Sequence, residues 1–329
     1  MSLAAFILLA TGEASAYNAG FRTAGDWMED GKNRMDLNIW YPAKKGEREI
    51  AVSPWIFSGA PNAKCAAGKF PVIVLSHPTP GNRFVHHELC AHMARRGYIV
   101  VAPTHPRDNL DNMDDLYTWK QLVRRAENIN RAIEIIMNFP DIKESIREGS
   151  IGFIGFGAGG AAGLLLGGAV PNCANWHNYC EKAGSRDIYC QKWAKNRVNE
   201  MCSDLPLDEK IVNPLISASA IVAPGYGMMF DQYSFEHYLP ETLMIGTGAD
   251  QIDTLKMHCE PIARSLGKRA RYYELPSADL GALLSRCPPS LEAEMPDLCL
   301  SVTPEQRRTI QRDLSSALDA FFGHYLPPG

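Results

Sequence analysis

The sequence lacks several features that would assign a class at once. No run of about 18 apolar residues occurs, so no transmembrane helix is expected. There is no basic excess: 33 Lys and Arg stand against 37 Asp and Glu, a net charge of -4, which argues against nucleic acid as a partner. No C-x-x-C pair with zinc spacing is present, so no metal site is read from the cysteines, and no motif asks for a cofactor. Internal repeats and low-complexity tracts are also missing.

What is present fits a globular chain with a sizeable core. Apolar residues make up 46 % of the 329 residues and charged residues 21 %. Nine cysteines are many for this length, and six of them fall into two groups. Cys173, Cys180, Cys190 and Cys202 crowd one stretch, and Cys287 and Cys299 form a second. Disulfides in an exported protein explain such grouping better than a metal site, although connectivity is not legible in the spacing. The N-terminus agrees. Ala4 to Ala10 is a short apolar run followed by Ala14-Ser15-Ala16, an A-x-A pattern, so residues 1–16 read as a signal-peptide remnant and the location as periplasmic or secreted. No lysine or arginine precedes that run, unlike an intact leader.

Along the chain, strand and helix signals alternate. Short apolar runs at 36–41, 72–76, 98–102, 151–155, 218–223, 242–246 and 271–275 read as strands. Helices are expected at about 84–96, 119–137, 158–166, 255–266 and 304–326. In the second of these, Leu122, Ala126, Ile129, Ile133 and Ile136 recur at three- and four-residue steps. Such alternation means an α/β fold, with a mostly parallel central sheet and helices on both faces. Residues 171–214 break the rhythm and read as a Cys-rich cap insertion in a single domain, 17–329. Ligands of such sheets bind at the C-terminal ends of the strands.

The segment Gly155-Phe156-Gly157-Ala158-Gly159 lies at one of those ends. It has the frame of a nucleophile elbow, G-x-S-x-G, between a strand and a helix. Side chains at the flanking glycines would collide with the neighbouring strand and helix, and the central residue takes a strained conformation that exposes its side chain. Here that residue is Gly157. Read alone, the segment also suits a generic glycine-rich turn that cradles phosphate. An elbow enzyme needs an acid and then a histidine further along. Asp250 ends the loop after the 242–246 strand and is placed for the acid, though a lone aspartate there also suits a turn.

Other segments narrow the reading. Asn38-Ile-Trp-Tyr-Pro-Ala43, Val74-Leu-Ser-His77 and Gly97-Tyr-Ile-Val-Val-Ala-Pro-Thr-His105 resemble an early strand, an oxyanion loop and a second strand of one family. Cys287, Cys299 and the helix ending Phe321-Phe322 resemble its C-terminal cysteine pair and closing helix. That family is the dienelactone hydrolase group related to platelet-activating-factor acetylhydrolases, and the likeness runs from about Asn18 to Leu326. It implies the α/β-hydrolase fold. In that group the histidine lies in L-P-x-A-x-H, and here the segment reads Leu275-Pro-Ser-Ala-Asp-Leu280. The triad-equivalent positions are therefore Gly157, Asp250 and Leu280, of which only the aspartate keeps its chemistry. His77-Pro78-Thr79-Pro80-Gly81 replaces the usual His-Gly, and each proline removes a backbone donor, leaving Thr79 and Ala158 as the oxyanion-hole candidates.

Loss of the serine or the histidine costs a serine hydrolase roughly 10⁶-fold in rate, while binding and oxyanion stabilisation retain about 10³–10⁴-fold over water. The expectation is a hydrolase-fold protein without catalysis that binds a small apolar or ester-like ligand. The alternative is an ester hydrolase with a displaced set drawn from Ser76, His77 and His105. An interaction protein using the Cys173–Cys202 insert is a third reading. His86, His87 and His92 read as surface histidines rather than a metal site.

Overall fold

A computed structural model describes residues 17–28, 31–185, 187–194, 196–197 and 211–329. The proposed leader remnant and Cys202 lie outside the described residues. Ten strands form one sheet in the order β10-β9-β8-β7-β5-β6-β2-β1-β4-β3. Its larger part is parallel: β5 (Phe70–Ser76), β6 (Ile99–Pro103), β7 (Ile146–Phe156), β8 (Ile216–Val222), β9 (Glu241–Thr247) and β10 (Ala270–Leu275). β2 (Arg34–Ala43) joins this block antiparallel to β6 and pairs with β1 (Asn18–Trp27) along its whole length. β4 (Trp55–Pro61) runs parallel to β1 and forms a hairpin with β3 (Arg48–Val52). This is the α/β-hydrolase architecture.

The unbroken apolar runs follow from burial on both faces. In β5, Val72 and Val74 enter one core, and Ile73 and Leu75 the other. In β6, Ile99 and Val101 face the first core, and Val100 and Ala102 the second. The first core is closed by helices α1 (Trp119–Met137), α2 (Ala158–Leu166) and α3 (Glu260–Leu266). The second is closed by α4 (His87–Arg95) and α5 (Pro304–Tyr325). Thr303 caps α5 with its side chain, with Gln306 returning the bond and Pro304 at the first helical position.

Strands β1, β3 and β4 carry no apolar run longer than three residues and are not expected from the sequence. From Arg22 to Trp27, β1 alternates half-buried and exposed positions, and β3 is largely exposed. Phe21, Trp40 and Phe57 nonetheless form an aromatic cluster that holds this end of the sheet together. The surface placement expected for the histidines holds for His92 only. It pairs with Asp319 at 3.0 Å, whereas His86 is buried against Phe156 of β7 and His87 against Phe57 of β4.

Two disulfides join described residues, Cys180–Cys190 and Cys287–Cys299. Cys173 is also disulfide-bonded, and Cys65, Cys90 and Cys259 are free and buried. Cys287–Cys299 closes the segment that follows Leu280, and Arg307 of α5 donates to the carbonyls of Gly281, Leu284 and Cys299 there. Removing this bridge with Cys287→Ala/Cys299→Ala is expected to lower stability by about 2–3 kcal/mol, measured as the shift in urea midpoint. An unchanged midpoint would mean that the α5 contacts alone hold the segment.

Candidate active site

β7 ends at Phe156 and α2 begins at Ala158, so Gly157 makes the whole turn. Its backbone sits at φ 54° and ψ -121°, a left-handed region that a side chain enters only under strain. The flanking glycines are sterically required. A Cβ at Gly155 would stand 2.5 Å from the carbonyl oxygen of Gly159, and one at Gly159 would stand 2.5 Å from that of Ser76. A Cβ at Gly157 would instead meet Pro78 Cβ at 3.3 Å and Leu280 Cδ2 at 3.7 Å. The main chain of Gly157 is tied at both ends, its N–H to Val222 and its carbonyl to the N–H of Gly225, each at 3.1 Å.

Asp250 follows β9 and is buried. Its Oδ1 accepts the N–H groups of Ile252 and Asp253 at 2.9 Å each, and its Oδ2 accepts that of Leu280 at 3.1 Å. The fold therefore brings Gly157, Leu280 and Asp250 together in that spatial order. Gly157 has no side chain there, and Leu280 supplies only methyl groups.

The loop after β5, which holds the oxyanion candidate Thr79, is fixed by a buried ion pair. Arg125, on α1, contacts Asp108 through its Nε at 2.5 Å, and both are essentially inaccessible. The same guanidinium donates to the His77 carbonyl and, at 2.8 Å, to Thr79 Oγ1. Thr79 donates to Asp108 at 2.9 Å and accepts from Gln121 at 3.1 Å. Its hydroxyl is thus fully engaged, which leaves the main chain of Thr79 for any contact with a ligand. Ala158 is the first residue of α2, where helix N–H groups lack intrahelical partners.

Ser76 and His105 are in contact, Oγ to Nε2 at 2.8 Å, and Asn128 lies 3.3 Å from His105 Nδ1. His77 accepts the N–H of His105 on Nε2 at 3.2 Å, so its proton is on Nδ1, facing the Pro78 carbonyl. All four side chains are buried. Burial, followed by the positive field of Arg125, drives the pKa of both histidines well below the ordinary imidazole value. This is a packed polar layer under the oxyanion loop.

A second buried group lies beside the elbow. Tyr189, in the turn Ile188–Cys190 fixed by the Cys180–Cys190 bridge, donates its hydroxyl to Asp253 at 2.6 Å. The same hydroxyl stands 2.8 Å from the Cβ position of Gly225, the residue bonded to Gly157. Tyr117, Trp176, Tyr226 and His258 pack around the Tyr189 ring. Burial raises the Asp253 carboxyl to about 7, only partly offset by the Tyr189 bond, with Asp250 and Asp187 adding to the rise. A raised folded-state pKa means that this group stabilises fully below its unfolded value and loses that contribution as pH climbs towards 7. The loss expected between pH 4 and 7 is roughly 4 kcal/mol. Unfolding curves across that range should show it for this protein and flatten in Asp253→Asn. Equal slopes in the two proteins would contradict a protonated Asp253.

Sequence reasoning picks out Gly157, Asp250 and Leu280 but passes over Arg125, Asp108, Tyr189 and Asp253. A signal for Arg125 exists. Gln121, Arg125 and Asn128 form a polar stripe at helical spacing beside the apolar face of α1, and all three are buried. Among the described residues, no group of three or more His, Cys, Asp or Glu side chains is arranged to hold a metal ion.

A model of the dienelactone hydrolase family matches residues 58–188, a span that includes Gly157 and stops before Asp250 and Leu280. No curated protein matches the chain. Among solved structures, a ferulic acid esterase from Streptomyces cinnamoneus is similar with a TM-score of 0.59 at 15% identity, covering 98% of this chain and 94% of that one. A putative dipeptidyl aminopeptidase IV from Bacteroides ovatus ATCC 8483 is similar with a TM-score of 0.50 at 12% identity, covering 94% of this chain and 36% of that one. At these identities the likeness is one of fold.

Proposed function

We propose that this chain, which belongs to the α/β-hydrolase superfamily and carries a dienelactone-hydrolase-like segment, keeps the frame of a serine ester hydrolase without its chemistry and binds a small apolar or ester-like ligand at the elbow. The observation that carries this reading is the convergence at Gly157. The elbow turn keeps the conformation that would present a nucleophile, yet the position its side chain would point to is covered by Pro78 and Leu280. Asp250 spends its remaining oxygen on the Leu280 main chain, since there is no imidazole to orient. Leu280 makes this corner apolar, which favours an uncharged ligand body, with Thr79 and Ala158 left to meet a carbonyl oxygen.

The Ser76–His105 contact favours a second reading, a displaced nucleophile and base. Against it, Ser76 has no access to solvent, and a base must be reachable by substrate as well as by the serine. With the proton of His105 on the nitrogen facing Ser76 and the Asn128 amide donating to the other, the imidazole holds the wrong tautomer for a base.

The disulfides support a periplasmic or secreted location. The segment 171–214 acts in this reading as a cap on the ligand site, because Tyr189 reaches the loops that follow β8 and β9.

The test is turnover of short-chain p-nitrophenyl esters together with labelling by a fluorophosphonate probe. Hydrolysis at the uncatalysed rate and no covalent adduct are expected. Turnover at an enzyme-like rate that is lost in Ser76→Ala, or an adduct mapped to Ser76, would establish the second reading instead.

A further inference from the structure

Away from the elbow, a cleft opens between the edge strand β10 and the closing helix α5. Its cavity of about 150 Å³ is lined by Leu243, Arg271, Tyr273, Ala317, Phe321 and Tyr325, with Ala320 and His324 at the helix side. Leu243 and Arg271 lie in the first halves of β9 and β10, so the cleft faces the end of the sheet opposite Asp250. It exists because β10 is an edge strand, and among the described residues no further strand covers the second core beyond α5.

The lining is largely apolar, with the tyrosine hydroxyls, the His324 imidazole and one guanidinium as its polar groups. Arg271 donates to the Tyr325 hydroxyl at 2.8 Å and to the Lys268 carbonyl at 3.0 Å, and its guanidinium lies over the Tyr325 ring at 5.9 Å. Both hydrogen-bond acceptors are neutral, and among the described residues its charge has no carboxylate partner. Asp313, whose charge adds to burial in raising the pKa of Tyr273, pairs with Arg312 at 3.4 Å. A guanidinium offers five donors in a fork that matches a carboxylate, and two are engaged here.

We propose that this cleft binds a monocarboxylate carrying one aromatic ring, with the ring against Phe321, Tyr273 and Leu243 and the carboxylate on Arg271. The size follows from the cavity, since an apolar void near 150 Å³ accepts a single benzene ring. The charge follows from the unpaired guanidinium. The proposal does not rest on the reading of Gly157, because the cleft shares no residue with that site.

Benzoate is the probe, with benzyl alcohol as its neutral counterpart, titrated by calorimetry and ligand-observed NMR against the full chain. A ligand of this size is expected to bind with a dissociation constant on the order of 1 mM. Arg271→Met should weaken benzoate by about tenfold or more, the usual scale for a charge-assisted bond, and leave benzyl alcohol unchanged. Ala320→Leu, which narrows the cleft without touching the cation, should weaken both ligands. Circular dichroism melting verifies that both variants are folded. No benzoate binding at 10-fold the expected constant, equal affinity for the two ligands, or benzoate binding that survives Ala320→Leu would each overturn the proposal.

Discussion

Replacing Gly157 by serine and Leu280 by histidine together is expected to raise ester hydrolysis about 10²–10⁴-fold over this protein, with either single change close to the parent rate. The frame for both groups is already in place. A side chain at position 280 starts from a main chain bonded to Asp250 Oδ2 and ends 3.7 Å from the Cβ position at Gly157. Asp250 Oδ1 is fixed by two backbone N–H groups, so the carboxylate is oriented before an imidazole arrives. Two costs keep the gain below that of an evolved enzyme. Serine at φ 54° carries strain of about 1–3 kcal/mol, and Pro78, at 3.3 Å, must yield by a few tenths of an ångström. The measurement is the initial rate on p-nitrophenyl butyrate with purified, folded proteins. A folded double variant that stays silent would place the defect in the oxyanion loop, where Pro78 and Pro80 lack N–H groups, and the idea of a site disarmed at two positions would fail.

Arg125→Met should destabilise the chain by about 3–5 kcal/mol, because it leaves Asp108 as a buried and uncompensated carboxylate. The variant also withdraws a donor from Thr79 and another from the His77 carbonyl, so the oxyanion loop loses its main tether. Replacing both partners, as in Arg125→Met/Asp108→Leu, should recover a large part of the loss, since desolvated charges contribute little net stability once neither is present. Urea unfolding followed by circular dichroism separates the outcomes. A loss below about 1 kcal/mol in Arg125→Met would show that water reaches Asp108, which contradicts the burial of this pair.

The parallel block was legible in the sequence because most of its strands are buried on both faces, the edge strand β10 being only partly covered. Val72–Leu75, Ile99–Ala102 and Ile151–Gly155 have no polar side chain, and the structure places strands over each. Strands β1, β3 and β4 were not legible. They lie at the sheet's other end, where β1 and β3 carry arginine, aspartate and glutamate on the open face, β4 is buried at alternate positions, and no apolar run longer than three residues develops. The elbow frame could be read from its glycines, since the collisions that demand Gly155 and Gly159 are local to a strand–turn–helix. His86 and His87 escaped because a one-dimensional pattern does not record that α4 lies under β4 and α5. Stacking of His86 on Phe156 at 3.8 Å buries an imidazole that helical spacing alone leaves at the surface.

The sequence by itself determined the fold class, the elbow turn and the chemical identity of the residues at the three triad-equivalent positions. Each depends on local rules: strand burial, glycine sterics and the types of side chain present. Tertiary structure alone decided which groups share a space. It set Leu280 against Gly157, joined Arg125 to Asp108 across 17 residues, and brought Tyr189 onto Asp253 across 64. Charge pairing, desolvation and steric access act over a few ångströms in space, and the chain positions involved are fixed only once the sheet and its covering helices have closed.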